Sequence, residues 1–225
     1  MPKPFLEFRC RMLASSERRG RWILMRRFTS KMQFLAALFS VVAVVAAGQD
    51  KPAASATVTV AGARGEFLDE VAYYEQRFTR LAEAVPADKY SWRPGEGVRS
   101  IGEVYVHIVS ANYAFSKMLG MPFPVGLEPK IIMASAGDKA KVAQELTASF
   151  AHMRQAILAI KDSDLENPMK LPGGRPSTVR GAFIFITGHY GEHLGQSIAY
   201  AREVGIVPPW TAERQKQEAA KPKPN

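Results

Sequence analysis

Four histidines carry whatever metal or acid–base chemistry this 225-residue sequence holds: His107, His152, His189 and His193. His189 and His193 close the pentapeptide His189-Tyr190-Gly191-Glu192-His193. On a helix this i, i+4 spacing puts two side chains on one face, with Cβ atoms about 5–6 Å apart. Helical projection gathers Ala182, Ile186, His189, His193, Gln196 and Tyr200 on a common stripe, so both imidazoles face inward. A buried ring without partners costs about 1–3 kcal/mol or more, and one metal ion satisfies two rings at once. The competing reading is a pair of surface imidazoles. His107 is one helical step from Val104 and Ala111, at the border of another core stripe. Two histidines from one helix and one from a second give three nitrogen ligands and an open position, the arrangement of a catalytic rather than a closed structural site. Zinc or nickel is the expected ion. His152 falls beside its own helix's stripe and is expected outside the ligand set.

Carboxylates that could move protons are few. Glu192 completes a His-x-x-Glu-His pattern, in which the Glu of inverted zinc peptidases is a general base. Such enzymes need a further acidic ligand well downstream, and only the end of one helix and a charged tail follow His193. Glu192 also points about 100° away from His193, so exposure or an outer contact is expected. Glu103 lies one turn before His107, but Ser100-x-x-Glu103 reads as a capping box that already explains it. Asn112, Tyr190 and Gln196 are candidates for outer-shell or substrate contacts, with packing as the equal alternative. Catalytic residues beyond the metal ligands are not named by the sequence.

Four helical segments must position these side chains. The first, about 66–85, lines up Phe67, Val71, Tyr74, Phe78, Leu81 and Val85 before Pro86. The second opens at Ser100 and runs to about Leu119, with Val104, Ile108, Ala111, Phe115 and Met118 on its stripe. The third, about 138–161, shows Val142, Leu146, Phe150, Met153, Ile157 and Ile160, and the fourth runs from about Ser177 to Val204, ahead of Gly205. Phe78, Phe115, Phe150 and Ile186, one per helix, are expected in one core. The fold class is therefore all-α, a four-helix bundle. Its connections at 86–99 and 120–137 are too long for a simple up-down-up-down arrangement, so at least one crossover is expected. Trp92 and Trp210 are expected at the bundle ends.

The net charge of +9 suggests nucleic acid until it is located. Residues 1–47 hold nine Lys or Arg against Glu7 and Glu17, whereas the remaining 21 basic residues face 19 acids. The basicity belongs to the leader, and a nucleic-acid surface loses its support. Arg26-Arg27 and Lys31 precede the apolar run Phe34–Ala47, and Gly48-Gln49-Asp50 follows. That is the plan of a secretory signal peptide cleaved after Ala47, with an uncleaved anchor as the alternative. Met25 or Met32 is the better initiator. The sole cysteine, Cys10, lies in this leader, so a chain matured near Gly48 has no disulfide, no Cys-type zinc site and no cysteine nucleophile. The expected organisation is a leader and signal over 1–47, a linker over 48–65, the bundle over 66–207 and a mobile tail over 208–225. The expected location is periplasmic or secreted.

Two stretches resemble a known family. Ser91-Trp92-Arg93-Pro94-Gly95-Glu96-Gly97-Val98-Arg99-Ser100-Ile101-Gly102-Glu103, leading to His107, is similar to the start of the second helix of DinB-like proteins. Gly188 through Gln196, followed by Gly205-Ile206-Val207-Pro208-Pro209, resembles that family's last helix. The resemblance covers about residues 66–210. It implies a four-helix bundle holding a divalent metal through one histidine of helix two and two of the last helix, here His107, His189 and His193. It also implies an activity among thiol transfer, maleylpyruvate isomerisation and metal-dependent hydrolysis, or none. Export disfavours thiol transfer, because bacterial thiol cofactors are concentrated in the cytoplasm. Metal-dependent hydrolysis of an unspecified small molecule is the expected function. A catalytically silent metal- or small-ligand-binding stress protein is the alternative, with a thiol S-transferase-like enzyme and a pure interaction module behind it. The expected partner is a small molecule, with no nucleic acid and, after signal cleavage, no membrane; a homodimer stays open.

Overall fold

Short side-chain caps set where the helices begin. Ser100 Oγ accepts from the Glu103 amide while Glu103 Oε2 accepts from the Ser100 amide, closing the capping box that starts the second helix. Asp138 and Thr178 cap later helices by accepting amide hydrogens at their first turns. The computed structural model describes residues 60–221. Within them the chain forms α1 (Gly62–Ala84), α2 (Ile101–Met118), α3 (Pro129–Ala134), α4 (Lys139–Ala159), α5 (Val179–Glu203) and α6 (Pro209–Ala219). The expected signal peptide, its cleavage point, Cys10 and residues 48–59 of the linker lie outside the described residues.

α1, α2, α4 and α5 make the four-helix bundle, and their order differs from the order in sequence. α1 and α2 each pack against both α4 and α5, so α1 faces α2 across one diagonal and α4 faces α5 across the other. Cross-helix pairs give the directions. Phe67 stacks on Phe183 and Tyr74 approaches Tyr190, so α1 and α5 run parallel. Asn112 bonds Ser149 and Ser116 approaches Met153, so α2 and α4 also run parallel. Phe78 meets Phe150 while Arg64 bonds Asp162, which makes α1 and α4 antiparallel. A parallel α2–α4 pair requires the chain to return along the full length of α2, whose 18 residues span about 27 Å. The crossover expected from the Gly120–Gly137 connection is this return, and α3 lies within it with Ile132 buried.

Phe78, Phe150 and Ile186 are fully buried and Phe115 nearly so. A second core feature is polar. Tyr190 Oη donates to Asn112 Oδ1 at 2.6 Å, Asn112 Nδ2 donates to Ser149 Oγ at 3.0 Å, and Ser149 Oγ donates to the Leu146 carbonyl. All three side chains are buried, and the run of donors and acceptors ends on a backbone carbonyl, so each has a partner, which is what makes their burial tolerable.

Three features depart from the sequence reading. The α4–α5 connection contains a small antiparallel hairpin, β1 (Pro168–Lys170) and β2 (Pro176–Thr178), with Met169 opposite Ser177. Its strands are three residues each, too short to show alternation. Residues 62–65, expected in the linker, belong to α1. Residues 209–219, expected in a mobile tail, form α6, seated on α1 by the Arg77 guanidinium over the Trp210 ring and by the Arg80–Glu213 ion pair. Trp210 therefore packs against the last two turns of α1. Among the described residues no helix is long and apolar enough to cross a membrane.

Candidate metal centre

α2 and α5 run antiparallel, with His107 beside His193 and Phe115 beside Phe185 eight residues along each helix. This register brings the i, i+4 pair of α5 against the single histidine of α2. Ring centroids are 4.5 Å apart for His107–His193 and for His189–His193, and 5.2 Å for His107–His189. One ring nitrogen from each of the three lies within 4.8 Å of the others. Three histidines that sequence places 82 and 86 residues apart can therefore hold one ion together.

The surroundings favour neutral rings with free lone pairs. Burial pushes His107 down to about 4, reinforced by the positive charge of Arg99 and by its two histidine neighbours, with Glu192 opposing. Burial likewise pushes His189 down to about 4, with His193 and Arg99 adding to it. The edge of Phe115 abuts the His189 ring at 5.1 Å. His189 Nε2 is buried without a hydrogen-bond partner among the described residues. A buried nitrogen of this kind costs free energy as it stands, and a bound cation would remove that cost.

His193 is held from behind. Its Nδ1 lies 2.8 Å from Gln196 Oε1, and Gln196 Nε2 donates to Tyr200 Oη at 3.0 Å. Because the Gln196 amide nitrogen is engaged by Tyr200, its oxygen faces the imidazole and accepts a hydrogen bond from Nδ1–H. That assignment leaves the Nε2 lone pair of His193 for a metal, the usual division of labour for a ligating histidine. Trp92 packs edge-on against Tyr200 at 5.5 Å, so the α1–α2 connection supports this relay at its outer end.

The other candidates sort by what they touch. His152 packs against Tyr113 on the α2–α4 side, outside the three-histidine cluster, as its phase implied. Glu103 completes the capping box and pairs with Arg93 at 3.1 Å, and these bonds, the Ser100 amide first, hold its carboxyl below the ordinary range. Asn112 and Tyr190 belong to the buried polar network between α2, α4 and α5 and have packing roles. Of the three, only Gln196 reaches the histidines. Glu192 is exposed, yet near enough to act on His107. Arg99, which the spacing does not single out, acts on both His107 and His189. Its sequence signals are its place just before Ser100, at the head of the helix that carries His107, and its membership of the stretch that resembles the DinB-like second-helix entry.

The sequence profile of the DinB superfamily matches residues 72–197, more than half of the chain, and the chain belongs to that superfamily. A DinB-like protein from Bacillus cereus ATCC 10987 superposes with a TM-score of 0.52 at 22% identity, covering 64% of this chain and 93% of its own. YfiT from Bacillus subtilis, described as a probable metal-dependent hydrolase with an unusual four-helix bundle topology, superposes with a TM-score of 0.51 at 11% identity, covering 64% of this chain and 89% of its own. At these identities the likeness concerns the fold. No curated protein is significantly similar in sequence.

Proposed function

We propose that this member of the DinB superfamily is an exported metal-dependent hydrolase of a small molecule, with a divalent zinc or nickel ion held by His107, His189 and His193. The observation that carries the reading is the convergence of three ring nitrogens from two helices, one ring holding a buried nitrogen without a partner. Three neutral imidazoles suit a borderline divalent ion and leave its charge uncompensated. The similar fold of YfiT, itself described as a probable metal-dependent hydrolase, supports the same class. When bound, the ion would supply Lewis-acid chemistry, polarising a substrate oxygen and making water more acidic.

The remaining roles fall to residues of the chain. Gln196 Oε1 keeps the proton of His193 on Nδ1. Phe115 walls the site on the side of His189, where it keeps water off the ring. Glu192, exposed and next to His193 in sequence, takes the proton that water loses when its oxygen attacks the substrate, while Glu103 is engaged by its helix cap and Arg93. Export rests on the basic segment and apolar run that end at Ala47.

A catalytically silent metal-binding protein is the second reading, favoured by the engagement of Glu103, the carboxylate one turn from His107. Metal analysis of the purified protein followed by a broad hydrolase screen separates the two. Stoichiometric zinc or nickel with turnover that disappears in His107→Ala supports the enzyme. Metal without any turnover replaces it with the silent protein, and absence of metal after reconstitution removes both.

A further inference from the structure

A short hairpin holds a cation against the aromatic wall that leads to the histidines. The wall starts at the His189 ring, which Phe115 meets edge-on at 5.1 Å. Phe115 in turn meets Phe185 edge-on at 5.8 Å, and Phe185 precedes His189 by one turn on the same face of α5. The guanidinium carbon of Arg175 stands 5.6 Å from the centre of the Phe185 ring. An unbroken run of contacts therefore joins Arg175 to the three-histidine centre. Phe185 and His189 are half-buried, and Gly188, in the turn between them, is exposed, with nothing within 4 Å of where a Cβ would stand. Space for a ligand is open beside the wall at that turn.

Arg175 is fixed by its backbone and not by a partner for its charge. It ends the turn between β1 and β2, where its carbonyl accepts from the Leu171 amide at 2.9 Å and the Gly174 amide donates to the Leu171 carbonyl at 3.0 Å. Gly173 and Gly174 both take φ 79°, which lets so short a turn reverse the chain. Leu171 is buried, and Pro176 follows Arg175 directly, so both ends of the turn are stiff. The hairpin is tied to the start of α5, where the Val179 and Arg180 amides donate to the Asn167 and Leu165 carbonyls. Gly181 permits the close fit, since a Cβ there would lie 2.3 Å from Ser177 Oγ. The Arg175 side chain is exposed and makes no ion pair or hydrogen bond among the described residues, whereas Arg180 is paired with Glu166.

We infer that Arg175 is a substrate-binding residue of the three-histidine site, taking the anionic group of a substrate whose apolar body lies along Phe115 and Phe185. A guanidinium over a ring keeps its N–H donors free, and these match two oxygens of a carboxylate or phosphate. Holding it on a stiff turn reduces the ordering needed on binding. The inference rests on the metal-centre reading for the reaction. It narrows the substrate to an amphipathic anion, whose charge is set apart from the reacting bond by at least one helical turn, about 5 Å.

The test uses the full chain, reconstituted with zinc and titrated with 3-phenylpropionate, 2-phenylethylphosphonate, acetate and uncharged 3-phenylpropan-1-ol. Binding is followed by calorimetry and by the NMR signal of the Arg175 Nε–H group, and zinc content is measured on every sample. In the wild type at least one aryl anion shifts the Arg175 signal saturably, and the tighter of the two identifies the anionic group. Acetate and the alcohol each bind about tenfold more weakly or less. Arg175→Gln weakens the aryl anion by about tenfold or more at unchanged zinc content, Arg175→Lys by less, and Lys170→Gln, an exposed cation of the same hairpin, leaves it unaltered. Equal affinity in wild type and Arg175→Gln, with zinc retained, overturns the inference and leaves the metal centre standing; so does acetate or the alcohol binding as tightly as the aryl anion. If the wild type holds no zinc, the metal reading falls, and the same titration of the metal-free chain still decides Arg175: a saturable shift supports it and an unmoved signal refutes it.

Discussion

Gln196 Oε1 sits 2.8 Å from Nδ1 of His193, one helical turn away on the same face of α5. The i, i+3 spacing lets one helix supply both a ligand and the group that sets its tautomer. Gln196→Ala should lower zinc affinity by roughly ten- to a hundredfold while leaving the helical content unaltered. Chelator competition monitored alongside circular dichroism checks this. An unchanged affinity would show that His193 is oriented by packing alone.

Each ligand should be needed. His107→Ala, His189→Ala and His193→Ala should each lose stoichiometric metal, and His152→Ala should keep it, because His152 lies against Tyr113 outside the cluster. Elemental analysis of the four purified variants is sufficient. Full occupancy in His107→Ala would leave only the pair on α5 and remove the inter-helix site.

Tyr190, although next to His189 in sequence, should matter for stability and not for metal. Tyr190→Phe removes the donor to Asn112 Oδ1 and strands that oxygen in the core. The expected cost is about 1–3 kcal/mol in denaturant unfolding, with metal content unchanged. Phe150→Ala, which opens a cavity between Phe78 and Tyr190, should cost more, about 3–5 kcal/mol. A loss of metal in Tyr190→Phe would reassign Tyr190 to the site.

The metal-free protein should lose stability in mild acid. His107 and His189 are held near 4 in the folded chain, chiefly by burial, against an ordinary value of 6.5. The unfolded chain therefore binds more protons between these values. Stability should be fully present above about pH 6.5, fall as the pH drops towards 4, and level off below it. Thermal unfolding of chelator-treated protein across this range checks the sign. Replacing both histidines with Ala should flatten the dependence, and a slope that survives the replacement would assign it to other groups.

Protein recovered from outside the cytoplasm should begin close to Gly48, where the basic and apolar pattern of the leader ends. N-terminal sequencing starting at Met25 or earlier would replace a cleaved signal with a retained anchor.

The helical phases were legible in the sequence because burial imposes a 3.6-residue period on each helix separately. That period places Phe78, Phe115, Phe150 and Ile186 inward, and it puts His189, His193 and Gln196 on one stripe. The capping box at Ser100 was legible for the same local reason, since both of its bonds close within four residues. Periodicity does not say which helix faces which. That α2 lies beside α5 and diagonal to α1, and that it runs parallel to α4, follows from how four apolar faces share one core and from the return of the crossover along α2. Only this arrangement brings His107 to His189 and His193. The mate of Trp210 was beyond local reading too: α6 is ordered by a cation on α1, more than a hundred residues earlier in the chain. Short-range signals determine an element's boundaries and buried face, whereas contacts between distant segments depend on the packing of the whole bundle.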